Sequence, residues 1–446
     1  MTDVSRATAP QSTFAARVAS RDAAVGVMGL GYVGLPLAIQ YAEAGFHVIG
    51  FDVVPERVEA LGAGASHIDD VPDAMLAAAV KSGNFAPTSD PQALAEADAV
   101  YLCVPTPFDT TKTPDLSYVR AAAAMLSEIL VPGQLVILQS TTYPGTTQEV
   151  VRPLLEAGSG LAAGVDFHLA YSPERVDPAN TTWTLSNTPK IAGGVSAACG
   201  EATRVLLEAM MGEPGLVTVV SSPKVAEMAK LAENTYRAVN IAYVNELAML
   251  AHEMDIDIWE VMEAAATKPF GYQSFLPGIG PGGQCIPVNP YYISWKAREF
   301  DFHTSFIELA GDINLRMASY AVSRVHSFMS RIGRSVSGAR VLCLGAAFKA
   351  GVSDVRNSRA VKVMDLLERE GARVEYCDPL VDSFTLDGSE RKAVPLDEAA
   401  FGDYDLIVGL VRNPAWPVAA VVTAGVPVFD AVDALGRPDG PLHERL

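Results

Sequence analysis

An apolar run at residues 24–31, AVGVMGLG, ends in glycines and leads into GLPLAIQYAEAG at 34–45, which has helical character. FHVIGFD at 46–52 is a second strand-like run, so the three segments make a βαβ unit. The turn between strand and helix, Gly29-Leu30-Gly31-Tyr32-Val33-Gly34, has the form GxGxxG. Only glycine lets a backbone turn this tightly and approach a pyrophosphate, which then rests on the helix N-terminus. Asp52 ends the second strand, 18 residues after Gly34. A carboxylate there can bond a ribose 2′-hydroxyl and would repel the extra phosphate of NADP. The six-residue motif alone fits any tight turn; with its flanking elements and the acid it predicts NAD binding.

Strand-like runs recur at DAVYLCV (98–104), QLVILQS (134–140) and HLAYS (168–172), separated by Ala/Leu/Glu-rich helical stretches. This alternation predicts a parallel, doubly wound sheet over the first half of the chain. Ser221-Ser222-Pro223 then opens a helical stretch reaching Asp255, about 45–50 Å long at 1.5 Å per residue. Its apolar residues cover more than one face, so it is expected to be buried between domains or between subunits. From ARVLCLGAAF (339–348) through AVKVMDLLEREG (360–371), ARVEYCDP (372–379) and YDLIVGLV (404–411), strands and helices alternate again, without a full GxGxxG. The expected fold class is α/β: two Rossmann-like doubly wound domains joined by a long central helix and a helical middle domain. The expected boundaries are a flexible extension over 1–22, then 23–220, 221–325 and 326–446.

A chain of 446 residues exceeds one core, which agrees with this division. Its net charge of -19 argues against a nucleic-acid partner, because phosphate neutralisation needs clustered Lys and Arg. A small anionic ligand is not excluded, since a few cations in a cleft suffice. Cys103, Cys199, Cys285, Cys343 and Cys377 are odd in number, widely spaced and free of CxxC, unlike a disulfide framework or zinc site. The seven histidines show no metal spacing, so no metal is expected. The N-terminal stretch lacks an apolar signal core and no run of about 20 apolar residues follows, which predicts a cytoplasmic chain without a membrane partner. On that reading the acceptor pattern Asn180-Thr181-Thr182 is chance.

Three patterns bear on chemistry. VPTP (104–107) and QSTTYPGTT (139–147) follow strands whose C-termini line the ligand crevice of open α/β sheets, and their hydroxyls could touch nicotinamide or substrate. Turn chemistry accounts for the same residues nearly as well. Lys230 and Asn234 are four apart on the long helix and share a face that could hold a developing oxyanion; spacing alone is met equally by a solvated face. GPGGQCIPVNP (280–290) puts Cys285 among glycines and prolines, outside any helix interior or central strand. A thiol on such a loop beside a dinucleotide site can trap an aldehyde as a thiohemiacetal, which a second hydride loss turns into a thioester and water into an acid. A packed, inert cysteine is the alternative.

GLGYVGLPLA, VPTP, STTYPGTT, SPERVDP, KLAENTYRAVNIAYVNE, GPGGQCIPVNPYY and AAFKAGVSDVRNS stand in the order seen in the UDP-glucose/GDP-mannose dehydrogenases, and the resemblance runs from about residue 22 to about 435. SPERVDPANTTWT, PFGY and YYISWKAREF are most similar to the UDP-N-acetylglucosamine 6-dehydrogenase branch, with UDP-N-acetylmannosamine dehydrogenase as a close neighbour; UDP-N-acetylmannosamine or UDP-glucose dehydrogenase activity is the alternative. The resemblance implies that 23–220 binds NAD, 221–325 dimerises and carries the cysteine loop, and 326–446 binds the UDP-sugar. It implies oxidation of a sugar C6 alcohol to the uronate with two NAD, by a homodimer. Cys285 would be the nucleophile; Lys230 and Asn234 would stabilise the oxyanion; Thr141 and Glu174 would position water and assist proton transfer. Lys268 would lie near the substrate, 278–283, with Gly282 and Gly283, would shape the sugar pocket, and Lys349 and Arg356 would meet the nucleotide or its phosphates. The expected cofactor set is Gly29, Gly31, Tyr32, Val33, Gly34, Asp52, Arg57, Pro105, Thr106 and Thr141.

The chain departs from that pattern at several positions. Asn289 stands where the family has Asp, Gln284 where the branch has His, Ala179 where it has Gly, and Arg359 where a proline follows DVRNS. Pro178 stands where another branch has a glutamate. An amide at 289 keeps the size and hydrogen bonding of a carboxylate but cannot act as a base. Three outcomes follow: full four-electron oxidation, incomplete oxidation because of Asn289, or a sugar-nucleotide-binding protein without catalysis. Joint presence of Cys285, Lys230 and Asn234 argues against the third.

Overall fold

The first half of the chain builds on an eight-stranded sheet, seen in a computed structural model that describes residues 13–109, 112–177, 179–437 and 440–446. In chain order its elements are α1 (Phe14–Ser20), β1 (Ala24–Met28), α2 (Gly34–Glu43), β2 (His47–Phe51), α3 (Pro55–Gly62), α4 (Asp73–Ser82), β3 (Phe85–Thr88), β4 (Ala99–Leu102), α5 (Ser117–Ser127), β5 (Leu135–Leu138), α6 (Arg152–Ser159), β6 (His168–Tyr171), β7 (Lys190–Gly194), α7 (Ala197–Met211) and β8 (Val217–Val220). The strand order is β3-β2-β1-β4-β5-β6-β7-β8. The order reverses at β1, which pairs with both β2 and β4, so the crevice above these strands is the expected ligand position. The strands from β3 to β6 are parallel, while β7 runs antiparallel to β6. The sequence pattern indicates a wholly parallel sheet; KIAGG of β7, with two glycines and a lysine, carries no strand-like apolar alternation.

The expected flexible extension over 1–22 is corrected where it is described. Thr13 caps α1 by accepting the Ala16 N–H, and Val18 is buried in one core with Leu206 and Met210 of α7. Residues 1–12 lie outside the described residues, as does Pro178.

α8 (Pro223–Glu253) carries the chain from the first unit, Met1–Leu231, into the second, Ala232–Leu446. It begins where the sequence places it: Ser222 Oγ accepts the Val225 N–H and Pro223 is the first helical residue. The second unit continues with α9 (Ile258–Ala266), α10 (Asn289–Ala297), α11 (Ser305–Arg331), β9 (Arg340–Leu344), α12 (Arg359–Arg369), β10 (Arg373–Cys377), β11 (Ser383–Leu386), β12 (Ser389–Lys392), β13 (Leu406–Gly409), α13 (Val418–Thr423), β14 (Val428–Asp430) and β15 (His443–Arg445). The boundary expected at 325/326 falls inside α11, whose Met317, Val325 and Phe328 share a core with Val341, Val408 and the α12 residue Val363. A parallel five-stranded sheet runs β10-β9-β13-β14-β15, with Val421 of α13 buried in a separate cluster with Leu342, Leu344 and Ile407.

The second sheet repeats the local device of the first without its motif. Gly29 and Gly345 both follow the first strand of their sheet with positive φ, and their N–H groups donate to Phe51 and Cys377 carbonyls at 2.8 and 2.9 Å. Asp52 accepts the Leu30 N–H at 2.9 Å, and Asp378 accepts the Ala346 N–H at 2.8 Å. One backbone geometry thus recurs with Ala346 and Ala347 where the first unit has Leu30 and Gly31.

Candidate active site

In the first unit the glycine turn has the shape a pyrophosphate requires. A Cβ on Gly34 would sit 1.8 Å from the Gly29 carbonyl oxygen, and one on Gly29 2.7 Å from the Cys103 carbonyl oxygen. Nothing lies within 4 Å of the corresponding point on Gly31, so the turn is open there. α2 starts at Val33–Gly34 with no side-chain cap and no acidic residue in its first turn, which leaves its N-terminal field available to an anion. Tyr32 and Val33 are exposed at its rim. Asp52 is buried; its Oδ2 accepts the Leu30 N–H and an Arg57 N–H, each at 2.9 Å, and its Oδ1 accepts the Val54 N–H at 3.0 Å. Arg57 is thereby joined to the acid expected to read the ribose. These residues fit NAD.

After β4 and β5 two of the expected residues meet: Thr106 Oγ1 donates to the Thr141 carbonyl at 2.8 Å, beside exposed Pro105. Glu174 follows β6. Its Oε1 accepts the Arg175 and Val176 N–H groups at 2.6 and 2.8 Å, and its Oε2 accepts from Gln139 Nε2 at 3.1 Å and Lys190 Nζ at 3.4 Å. Burial pushes this carboxyl up, but Lys190, the two backbone N–H groups and Lys230 together outweigh it and hold it below the usual range. Glu174 is therefore held as a carboxylate, with Lys190 as its nearest cation.

Lys230 is buried on α8, one turn before Asn234, which is also buried. The solvated face that spacing also allowed is not what α8 presents here. One turn earlier again, Glu227 is fully buried. It accepts the Gly145 N–H, the Thr147 N–H at 2.8 Å and the Thr147 hydroxyl at 2.7 Å. Burial pushes its carboxyl up, against the pull of the Thr147 and Gly145 donors. It fastens the STTYPGTT segment, which continues into a π-helical turn at Thr147–Val151, to the turn of α8 that leads to Lys230.

In the second unit, Cys285 is exposed on the loop before α10, and the Asn289 N–H donates to its carbonyl at 2.9 Å. Asn289 is buried as the first residue of α10, and its side-chain oxygen accepts a hydrogen bond from the Asn234 amide. The glycine run packs on the Phe348–Asn357 loop: a Cβ on Gly282 would be 2.8 Å from Phe348 Cβ, the Gly283 N–H donates to the Arg356 carbonyl at 3.2 Å, and Asn357 Nδ2 donates to the Gly283 carbonyl at 3.1 Å. The sequence thus brings Gly282 and Gly283 onto the loop of Lys349 and Arg356. The Arg356 guanidinium is already bound to Asp354, at 2.7–3.0 Å. Lys268 is exposed, its ammonium 5.2 Å from the centre of the Phe270 ring, and shares none of these hydrogen bonds.

Lys190, Gln139, Glu227 and Asp354 were not expected from the sequence. Glu227 had a readable signal, an acid three residues before Lys230 and so on the same helix face. Asp354 is two residues from Arg356 in a turn and was also within local reach. Lys190 had none. Among the described residues no group of three or more His, Cys, Asp or Glu is placed to hold a metal ion, and no helix is long and apolar enough to cross a membrane.

Comparison with known proteins covers almost the whole chain. Residues 23–211 match the NAD binding domain of the UDP-glucose/GDP-mannose dehydrogenase family, residues 224–316 its central domain, and residues 342–435 its UDP binding domain. The UDP-N-acetyl-D-glucosamine 6-dehydrogenase of Pseudomonas aeruginosa is 36% identical over 397 residues, 88% of this chain and 91% of that protein. The UDP-N-acetyl-D-mannosamine dehydrogenase of Pyrococcus horikoshii is 35% identical over 384 residues, 84% and 90% of the two chains. A solved structure of a UDP-D-ManNAc dehydrogenase from Pyrococcus horikoshii superposes with a TM-score of 0.85 at 31% identity, covering 95% of this chain and 98% of that one.

Proposed function

The chain belongs to the UDP-glucose/GDP-mannose dehydrogenase family, and from that premise we propose that it oxidises the C6 alcohol of a UDP-sugar, UDP-N-acetylglucosamine first among them, to the uronate. The overall change takes R–CH₂OH, two NAD⁺ and water to R–COO⁻, two NADH and three protons. In this reading 23–220 holds NAD, 221–325 carries the cysteine loop and the dimer contact, and 326–446 receives the UDP moiety.

The Gly29–Gly34 turn and Asp52 would hold NAD, which when bound would supply the hydride acceptor for each oxidation. The Cys285 thiolate adds to the C6 aldehyde carbon, and the sulfur–carbon bond persists through the second oxidation as a thioester. Lys230 and Asn234 donate to the oxygen that carries negative charge at each addition. The Glu174 carboxylate, with Thr141, orients the water that cleaves the thioester and accepts its proton. Lys349, Arg356 and Lys268 supply the local positive charge that a UDP dianion needs in a chain of net charge -19.

The observation that carries this reading is the bond from Asn234 to Asn289, whose backbone in turn holds the Cys285 carbonyl. It ties the thiol's loop to the helix of the oxyanion pair. The choice of an N-acetylglucosamine substrate rests on likeness to the Pseudomonas aeruginosa enzyme. The homodimer rests on α8, where Tyr236, Tyr243 and Leu250 are 50%, 53% and 54% exposed at seven-residue intervals, a stripe suited to a second helix. Incubating the protein with NAD and a panel of UDP- and GDP-sugars, and counting NADH per sugar with product mass, tests the proposal. Two NADH and a uronate support it. One NADH or a trapped adduct points to incomplete oxidation caused by Asn289. Tight binding with no NADH points to a protein that binds the sugar nucleotide without oxidising it.

A further inference from the structure

Lys190 is the most deeply buried cationic side chain near the candidate site, 2% exposed, and the sequence gives no reason for it to be there. Its position follows from strand direction. β6 ends at Tyr171, and Glu174 lies just beyond it, on the edge of the sheet where the parallel strands end and ligands bind. A lysine at the start of a parallel strand would lie at the opposite edge. Because β7 runs antiparallel to β6, pairing Tyr171 with Gly193 and Ala170 with Gly194, its first residue is returned to the edge that holds Glu174. The Lys190 ammonium then reaches Glu174 Oε2 at 3.4 Å.

We infer that Lys190 is a positioning residue for the dehydrogenase reaction: it fixes the Glu174 carboxylate in place and keeps it ionised for thioester cleavage. This rests on the role proposed above for Glu174. The geometry around the acid supports it. Gln139 and the Arg175 and Val176 N–H groups supply neutral donors to both oxygens, and Lys190 outweighs each of the backbone N–H groups in holding the carboxyl down against burial. The ionisable groups facing Glu174 are Lys190 from β7, Lys230 from α8, and Tyr101 and Cys103 from β4 and its end; burial first, and Glu174 also, push the latter two away from ionising. Lys230 has an assigned task at the oxyanion. Lys190 is thus the cation left to balance the acid throughout the cycle. A depressed carboxyl stays charged until the pH falls below the ordinary Glu value of about 4.3; without Lys190 the largest influence opposing burial is gone and the carboxyl titrates higher.

The test compares Lys190→Met, which keeps the length and removes the charge, with Lys190→Arg. In Lys190→Met the acid limb of kcat/KM against pH should move up by about 1–3 units, the range an opposite charge at this distance imposes. NAD affinity should be unchanged, the loss should fall on kcat more than KM, and Lys190→Arg should restore the profile. An acid limb that stays in place in folded Lys190→Met overturns the inference. If Lys190→Met does not fold, melting of Lys190→Met/Glu174→Gln decides: recovery of folded protein on removing both charges supports the coupling, and a double variant as unstable as the single one overturns it. Wild-type protein inactive on every UDP-sugar would sink the substrate reading alone, and the same melting comparison would still decide whether Lys190 and Glu174 act as a pair.

Discussion

The Asn234 amide donates a hydrogen bond to the side-chain oxygen of Asn289, and both residues are buried. A carboxylate at 289 could accept the same bond, so the amide is tolerated structurally while giving up a base four residues from the thiol. Asn289→Asp should therefore raise uronate formation relative to the first NADH burst. Stopped-flow NADH traces with quantified uronate check this; equal or lower turnover would show that the site is adapted to Asn.

Cys285 alone of the five cysteines, all within the described residues, is exposed. Burial pushes the Cys103 and Cys343 thiols far up and Cys377 up to about 11; Cys199 is held below its usual value despite burial by His168 and Ser196, but is inaccessible. Brief iodoacetamide treatment of native protein at mildly alkaline pH should give one adduct, on Cys285, with loss of uronate formation in step. Peptide mass mapping checks the position, and labelling first at Cys199 would contradict it.

At Gly34 a Cβ would overlap the Gly29 carbonyl, which is backbone and cannot swing away. Gly34→Ala should displace the turn, at about 1–3 kcal/mol for a forced overlap of this kind, and weaken NAD binding by on the order of tenfold or more. Calorimetric titration with NAD reads it directly; undiminished affinity would remove the turn from the cofactor site.

Tyr243 lies at the middle of the exposed stripe on α8. Tyr243→Lys should shift the protein toward monomer in light scattering at micromolar concentration, because a charge at the centre of an apolar helix contact is left without a partner. An unchanged mass would place the subunit contact elsewhere.

Ala179 has φ of 60°. A side chain in the left-handed region costs roughly 1–2 kcal/mol, and glycine avoids it at a smaller entropic cost. Ala179→Gly should raise the melting temperature slightly, and a fall would mean that the methyl group makes a compensating contact.

Much of this fold was legible because its signals are local. The GxGxxG turn, the Ser222-Pro223 start of α8 and the strands around Val27, Val100, Ile137 and Val341 all announce themselves within a few residues. The glycine loop of Cys285 likewise reads as a loop from its own composition. Where sequence failed, the deciding partner was remote or the segment was short and polar, as in β7 and the hairpin β11–β12.

By itself the sequence determined which residue types stand on which turns and helix faces, and so the kind of chemistry available: a glycine cradle, a thiol on a loop, a lysine and an amide one helical turn apart. The tertiary structure alone decided which charges neutralise which. Lys190 meets Glu174 across a reversed strand, and Glu227 holds Thr147 from 80 residues away. Such pairings are set by strand direction and packing over long separations, and in a buried site the electrostatic balance depends on distance in space rather than along the chain.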